Sequence, residues 1–316
     1  MQRNDVFQFA PFASCHAATI VESEPDKFLC AWFAGSAEGA GDVKIYLARS
    51  PDGIAWSPPE MVADGAGVPC WNPVLFRERK SGEIILYYKI GPNPSSWSGF
   101  FRRSKDAGKT WGESFIMPAG LLGPIKNKPI QLEDGTVLSP TSVESYKNWA
   151  SWIDRSVDGC RTWSHHGPIY HPKNAQGVIQ PAILRRRDGS LFALMRSRGI
   201  EQICISNSRD GGLTWSPAEG VAELPNPNSG IDAVTLADGR HVLVYNPTHM
   251  GRTPLVVSVS VDDGKTWKQA VSLEQEQGEY SYPAVIQAAD ATIHITYTWR
   301  RQRIRHVTLE PKELGA

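Results

Sequence analysis

The sequence predicts an all-β fold, a six-bladed β-propeller that forms a single domain over residues 1–316. Three observations support this prediction: a turn motif that recurs five times, a second repeated element that opens each unit, and a composition rich in turn formers. The 316 residues include 28 Gly, 23 Pro and 11 Trp. Such a composition favours short strands joined by turns over long helices.

The turn motif has the pattern Ser-x-Asp-x-Gly-x-Thr-Trp. Three copies are intact, a fourth has Cys160 in place of its Gly, and a fifth is one residue short. The copies end at Trp56, Trp111, Trp163, Trp215 and Trp267, in steps of 55, 52, 52 and 52 residues. The Asp carboxylate can accept N–H bonds across a tight turn, and Gly tolerates positive φ. We expect the Trp to cover the turn and its indole N–H to find a backbone partner.

The second repeated element is an apolar run that begins with a polar residue. It occurs six times, and its first residues are His16, Asn72, Lys128, Gln180, Asp232 and Tyr282. Each run leads into a turn and a second apolar strand, so each unit holds three or four strands. Units of this kind form the blades of a propeller. The sixth lacks the turn motif, and we expect the N-terminal segment to supply its outer strand. An open solenoid is the alternative, but its polar capping repeats are not seen.

The six polar residues are expected to point at one mouth of the central channel, where they would bind a substrate. The alternative is that they hydrogen-bond one another and channel waters. The starts of third strands add Asp42 and Arg252, and the ends of second strands add Lys89 and Arg196. Trp71, beside Asn72, could stack on a sugar. Cations gathered on one rim suggest a ligand with an anionic group, such as a carboxylate.

Composition excludes several partners. Lys and Arg total 33, as do Asp and Glu, and this balance argues against binding to nucleic acid or to an anionic membrane surface. The sequence lacks an apolar run of membrane-spanning length and a recognisable secretory signal, so a cytoplasmic protein is expected. The five Cys have no CxxC spacing, and neither a disulfide framework, a metal site nor a cofactor is expected. The oligomeric state is left open.

The turn motif resembles the Asp-box, and nearly the whole chain resembles the sialidase (neuraminidase) superfamily of BNR-repeat proteins, in its sialidase-like branch. This resemblance implies an Arg triad for a substrate carboxylate, a Tyr nucleophile assisted by a Glu, and an Asp acid/base. Arg252 resembles a triad Arg, and Arg196 is a candidate for another. Tyr282 resembles the nucleophile and Asp42 the acid/base.

Two positions depart from the family pattern. His16 stands where the first-blade Arg would be, and Gln180 stands where the Glu would be. Because Gln cannot accept a proton from Tyr, we expect His16 to be the base, with a pKa suited to neutral pH. The prediction is a sialidase-like glycoside hydrolase that acts on an acidic glycan. The alternatives are a polysaccharide lyase, with His16 as base and Tyr282 as acid on a uronic acid, and a non-catalytic propeller that binds glycan or protein.

Overall fold

The structure is a computed structural model that describes residues 1–174 and 176–315. Within these residues, 24 strands form six antiparallel sheets of four strands each, and one short 3₁₀ helix covers Pro311–Leu314. The six sheets are the blades of a β-propeller, which confirms the predicted fold class. No helix in the described ranges is long and apolar enough to cross a membrane.

The strands follow the sequence repeats. The first blade holds β2 (Ser14–Glu24), β3 (Lys27–Gly35), β4 (Lys44–Ser50) and β5 (Glu60–Ala63). The second holds β6 (Cys70–Arg77), β7 (Ile84–Ile90), β8 (Ser98–Ser104) and β9 (Phe115–Ile116). The third holds β10 (Ile130–Gln131), β11 (Val137–Glu144), β12 (Trp149–Ser156) and β13 (Ser164–Ile169).

The remaining three blades complete the ring. The fourth holds β14 (Val178–Arg185), β15 (Leu191–Ser197), β16 (Gln202–Ser208) and β17 (Glu219–Pro225). The fifth holds β18 (Asp232–Thr235), β19 (His241–Tyr245), β20 (Leu255–Ser260) and β21 (Lys268–Glu274). The sixth holds β22 (Tyr280–Gln287), β23 (Ile293–Trp299), β24 (Arg303–Leu309) and, as its outer strand, β1 (Gln2–Asp5). β1 pairs with β24 from Gln2 opposite Thr308 to Asp5 opposite Arg305. The N-terminal segment therefore closes the ring, as predicted.

Four of the five Asp-box turns, those of the second to fifth blades, are held by the same set of hydrogen bonds. In the shortened first turn, Asp52 accepts from the amides of Ile54 and Ala55. In the second blade, the Asp106 carboxylate accepts bonds from the Thr110 amide at 2.9 Å and from the Ser104 hydroxyl at 2.8 Å. The Gly108 amide donates to the Ser104 hydroxyl. One expectation needs correction. The Trp215 indole donates to the Gly212 carbonyl, but three other indoles are buried with no partner among the described residues: Trp56, Trp111 and Trp267. Packing, rather than a common indole bond, is what these Trp residues share.

The blades pack against one another through apolar faces. Val, Ile and Leu from neighbouring sheets form the buried clusters, and the fully buried Trp32 packs on Phe7 near the closing strand. Such burial stabilises the fold by roughly 25 cal/mol per Å² of apolar surface. Contact between blades is close at Gly108, where φ is +83° and a Cβ atom would lie 2.3 Å from Leu29 of the first blade. Only Gly fits this turn.

Candidate functional site

Strand register defines the ring of residues at the channel mouth. In five blades the last residue pair of the hairpin between the first two strands marks a common position, and in the first blade this position is the pair before a register shift that adds Glu24–Lys27. The six pairs are Glu22–Phe28, Arg77–Ile84, Gln131–Val137, Arg185–Leu191, Thr235–His241 and Gln287–Ile293. Counting five residues back from the first member of each pair gives six equivalent positions. They are held by Ala17, Asn72, Lys126, Gln180, Gly230 and Tyr282.

The predicted ring needs correction at three of its six positions. His16 lies one residue before the ring position of its blade, whereas Lys128 and Asp232 each lie two residues after it. A β-bulge interrupts four inner strands, and at it Ala17, Asn72, Gln180 and Tyr282 all have positive φ, between 38° and 58°. Bulges of this kind re-aim side chains at the rims of sheets.

Tyr282 is at the centre of the site. Its half-buried hydroxyl accepts a hydrogen bond from Arg196 Nη1 at 2.7 Å and a longer one from Gln180 Nε2 at 3.3 Å. The guanidinium carbons of Arg196 and Arg252 each lie 5.8 Å from the centre of the Tyr282 ring. The structure therefore brings together four of the residues predicted for the site, with two cations around one phenol.

Gly230 makes room for the Tyr282 ring. A Cβ atom at position 230 would lie 3.1 to 3.3 Å from three carbons of that ring. Such contacts are tighter than usual packing allows. The absence of a side chain at Gly230 in the fifth blade therefore allows Tyr282 of the sixth blade to take its position.

His16 packs directly on this tyrosine, in surroundings that oppose its predicted role as a base. Its ring centre lies 4.2 Å from that of Tyr282, and Nδ1 lies 2.9 Å from the Thr298 hydroxyl oxygen. Burial, and then the positive charges of Arg301, Arg252, Arg196 and Lys126, hold the pKa of His16 well below its usual value. The imidazole is therefore neutral at physiological pH and a weak proton acceptor.

Glu279 joins two arginines beside His16. Its Oε1 accepts a hydrogen bond from Arg252 Nη1 at 2.8 Å and another from Arg301 Nε at 2.7 Å. Arg301 lies in the turn between β23 and β24, just before the third strand of the sixth blade. Sequence analysis missed it because this blade has no Asp-box from which its third strand could be aligned.

Lys126 is a second residue that sequence analysis missed. Its buried ammonium donates to the carbonyl oxygens of Ile231 and Pro283 and to the Asn127 side chain, and lies 5.9 Å from the centre of the Tyr282 ring. Burial lowers the pKa of Lys126 to about 7. Counting back from the hairpin identifies Lys126. The sequence comparison instead aligned Lys128–Pro129 with Gln180–Pro181, which placed the ring position of the third blade two residues too far along the chain.

A carboxyl group also faces this region. Glu144 lies on the same face of β11 as Ser142, whose hydroxyl accepts a hydrogen bond from the Gln180 amide. Its cross-strand neighbour Trp149 stacks beneath the guanidinium of Arg196, at 5.8 Å. Burial raises the pKa of Glu144, although Arg196 and Arg198 oppose the shift. No spacing in the sequence signals this residue.

Lys128 and Asp232 form an ion pair deeper in the channel. Lys128 Nζ lies 2.9 Å from Asp232 Oδ2, which also accepts the Val285 amide. Lys128 borders a cavity with Arg185 and Thr235, the last residues of two inner strands, at the end of the channel opposite to Tyr282. The sequence analysis gave as an alternative that the polar residues of the ring hydrogen-bond one another, and Lys128 and Asp232 do so. These two residues therefore lie away from the predicted ligand.

Two further residues predicted to bind substrate are occupied by internal contacts. Lys89 is fully buried and donates to the Pro124 carbonyl. Burial lowers the pKa of Lys89 to about 7, although the negative charge of Asp154 in the third blade opposes the shift. Trp71 donates to the Gly91 carbonyl and packs edge-on against Phe33, with 6% of its surface exposed. Neither face of that indole is open for stacking on a sugar, so the structure contradicts both predictions.

Asp42 and Asn72 remain at the rim. The Asp42 carboxylate is exposed and accepts hydrogen bonds from the amide and the hydroxyl of Ser36, at 2.9 and 2.8 Å. Asn72 is buried at its ring position, with φ at 38°. Asp42 precedes the third strand of its blade, as Arg252 does in the fifth, which matches their predicted equivalence. Within the described residues, no group of His, Cys, Asp and Glu is suited to a metal ion.

Comparison with known proteins places this geometry in a family. A sialidase of Bacteroides fragilis is 25% identical over 229 residues, which cover 67% of this chain and 41% of that protein. The chain therefore spans about two fifths of the length of this relative. Among solved structures, a Hadza microbial sialidase superposes with a TM-score of 0.81 at 18% identity, over 95% of this chain and 66% of its own.

A second solved structure matches over nearly the full length of both chains. It is a Dyadobacter fermentans protein of unknown function, with a TM-score of 0.82 at 17% identity, over 98% of this chain and 97% of its own. At these identities the superpositions establish the fold alone. The profile of the BNR repeat-like domain matches residues 26–295, most of the chain. The chain therefore belongs to the BNR repeat-like domain family.

Proposed function

We propose that this protein is a glycoside hydrolase that acts on a glycan with a carboxylated sugar. The observation that carries the proposal is the pair of guanidinium groups, Arg196 and Arg252, each 5.8 Å from the centre of the Tyr282 ring. Guanidinium groups bind carboxylates in paired hydrogen bonds, and a nearby phenol can serve as nucleophile. The sialidase of Bacteroides fragilis, a distant relative, supports this substrate class.

The reaction would proceed through a covalent intermediate. Tyr282 Oη would form a bond to the anomeric carbon as the bond from that carbon to the leaving oxygen breaks. Asp42, exposed at the rim, would give its proton to the leaving oxygen. Water would then attack the anomeric carbon and give its proton to the Asp42 carboxylate, while the bond from that carbon to Tyr282 Oη breaks. The phenolate of Tyr282 would regain its proton from the group that accepted it, and the sugar would be released.

The proton of Tyr282 needs an acceptor. The Gln180 amide cannot take it, and the depressed pKa of His16 makes that imidazole a weak base. Glu144, which faces the same region as Arg196, is the carboxyl group to which we assign this role. The weak basicity of His16 also argues against the lyase alternative, because that reaction relies on His16 to remove a proton.

Release of 4-methylumbelliferone from its α-glycoside of N-acetylneuraminic acid tests the proposal. We expect steady release by the wild type and a loss of about 100-fold or more in Tyr282→Phe. The control is Tyr146→Phe, since Tyr146 is almost fully exposed, and it should match the wild type. No release from this or other acidic glycosides, or an unaffected Tyr282→Phe variant, would refute the hydrolase.

One observation favours a second candidate, a non-catalytic glycan-binding propeller. The position next to the Tyr282 hydroxyl is held by the amide of Gln180 instead of a carboxylate. Such a site can hold a carboxylated sugar without activating the tyrosine. Saturable binding of the sialoside with no product after prolonged incubation would identify a binding protein.

A further inference from the structure

The resemblance to sialidases implies an arginine from the first blade in the anion site, and this chain has no arginine at that position. His16 stands at that place, and it is buried and neutral. The cluster around Tyr282 then holds two guanidinium groups from the predicted set, Arg196 and Arg252. The structure places a third guanidinium group, that of Arg301 in the sixth blade, next to the segment that holds His16 and on the same carboxylate as Arg252.

Arg301 is fixed next to His16 by its backbone. Its carbonyl oxygen accepts a hydrogen bond from the amide of Cys15, the residue that precedes His16. Arg300 and Arg301 have φ of 51° and 60°, left-handed conformations that arginine rarely adopts. Strained backbone of this sort persists where the surrounding structure imposes it, and it is concentrated at functional sites.

Glu279 fixes the direction of the Arg301 side chain. The same oxygen, Oε1, accepts from Arg301 Nε and from Arg252 Nη1, so the two guanidinium groups lie side by side. Glu38 takes a bond from Arg301 Nη1 at 2.5 Å. Among the described residues, Nη2 of Arg301 has no hydrogen-bond partner, and the side chain is 25% exposed. The Nη2 amino group of Arg301 is therefore free to donate to a ligand.

We propose that Arg301 is the third cation of the anion site, and that the sixth blade thus supplies the guanidinium that the first blade lacks. Glu279 holds Arg301 and Arg252 side by side, where they would face the two oxygens of a sugar carboxylate, while neutral His16 packs against Tyr282. This inference rests on the proposed carboxylated ligand, but not on turnover.

Binding of 2-deoxy-2,3-dehydro-N-acetylneuraminic acid and of its methyl ester, measured by calorimetry, tests the inference. We expect the wild type to prefer the free acid, and Arg301→Gln to bind that acid at least tenfold more weakly. The methyl ester should bind both proteins with similar, low affinity. Arg301→Lys, which keeps the charge, should recover part of the loss. The double variant His16→Arg/Arg301→Gln should also recover affinity if it folds.

Arg300→Gln is the matched control. Arg300 shares the turn and the left-handed backbone of Arg301, but it stacks on Trp299 and contacts Tyr280. It should bind the acid like the wild type. If Arg301→Gln also binds like the wild type while Arg196→Gln loses affinity, Arg301 is outside the site and the proposed function stands. If the wild type binds neither probe, the inference and the proposed function both fail.

Discussion

The imidazole of His16 lies against the phenol of Tyr282, with ring centres 4.2 Å apart and planes inclined by 50°. The contact joins the first blade to the sixth, on the side where Arg301 and Arg252 share Glu279. A charged imidazole at this place would add a cation to a buried region that is already positive. The neutral ring allows the arginines to remain close together without that repulsion.

Acid should destabilise the fold through its buried histidines. Burial is the main cause that lowers the pKa of four of them: His16, His241, His294 and His306, with His241 and His294 at about 4 and His306 at about 3. The unfolded chain, with histidine pKa values near 6.5, then binds more protons than the native state below that pH. We expect the free energy of unfolding in urea to fall by at least about 2 kcal/mol from pH 7 to pH 5. Equal stability at the two pH values would contradict the prediction.

Gly230→Ala should impair the site more than the fold. The added methyl would press on the Tyr282 ring at 3.1 Å and displace its hydroxyl from Arg196. Small displacements of a reacting group reduce rates strongly, and we expect kcat on the fluorogenic sialoside to fall about tenfold. Gly112→Ala, at an exposed glycine where a methyl meets only an ordinary contact, is the control. A variant with wild-type kcat would show that Tyr282 tolerates the methyl group.

Gln180→Glu should increase hydrolysis. A carboxylate at this place can accept the Tyr282 proton, which the amide at 3.3 Å cannot. A well-placed general base contributes about 100-fold or more, and we expect a gain of at least about tenfold in kcat. The exposed Gln269→Glu variant controls for the added charge. Unchanged or lower activity in Gln180→Glu would mean that proton transfer from Tyr282 does not limit the reaction.

Lys126→Met should destabilise the whole propeller. The substitution leaves the buried carbonyl oxygens of Ile231 and Pro283 without a donor, and each such group costs about 1–3 kcal/mol. We expect the free energy of unfolding, measured in urea at pH 7, to fall by at least about 2 kcal/mol. Lys105→Met removes an exposed ammonium and should leave stability within about 0.5 kcal/mol of the wild type. A Lys126→Met variant as stable as that control would show that the hydrogen bonds of Lys126 to Ile231 and Pro283 do not stabilise the fold.

The blades could be read from the sequence because the Asp-box contacts are local. Ser104, Asp106 and Thr110 form one turn from adjacent residues, so their spacing survives in the chain. Tyr282, Gln180, Arg196 and Arg252 were also predicted, since they stand at the ends of recognisable strands. Their meeting in the structure supports that reading, while their roles stay predictions.

The rest of the site could not be predicted from spacing, because it depends on bulges and on contacts between distant blades. The inner strand of the third blade is only Ile130–Gln131, too short to align reliably, and the prediction therefore took Lys128 instead of Lys126. Gly230 belongs to the site because the Tyr282 ring packs against it. Arg301 belongs to it because its side chain donates a hydrogen bond to Glu279. These contacts join residues of different blades or turns, and they do not recur at the spacing of the repeats, so the sequence pattern does not reveal them.

The pairing of β1 with β24 has a consequence for the order of assembly. Gln2 and Thr308 are opposite each other, so the sixth blade contains both the first and the last strands of the propeller. During synthesis, the first five blades can form while the ring is still open. The junction that carries His16, Arg301 and Tyr282 can form only after β24 has left the ribosome. Ligand binding at this junction would therefore report that the whole ring has closed.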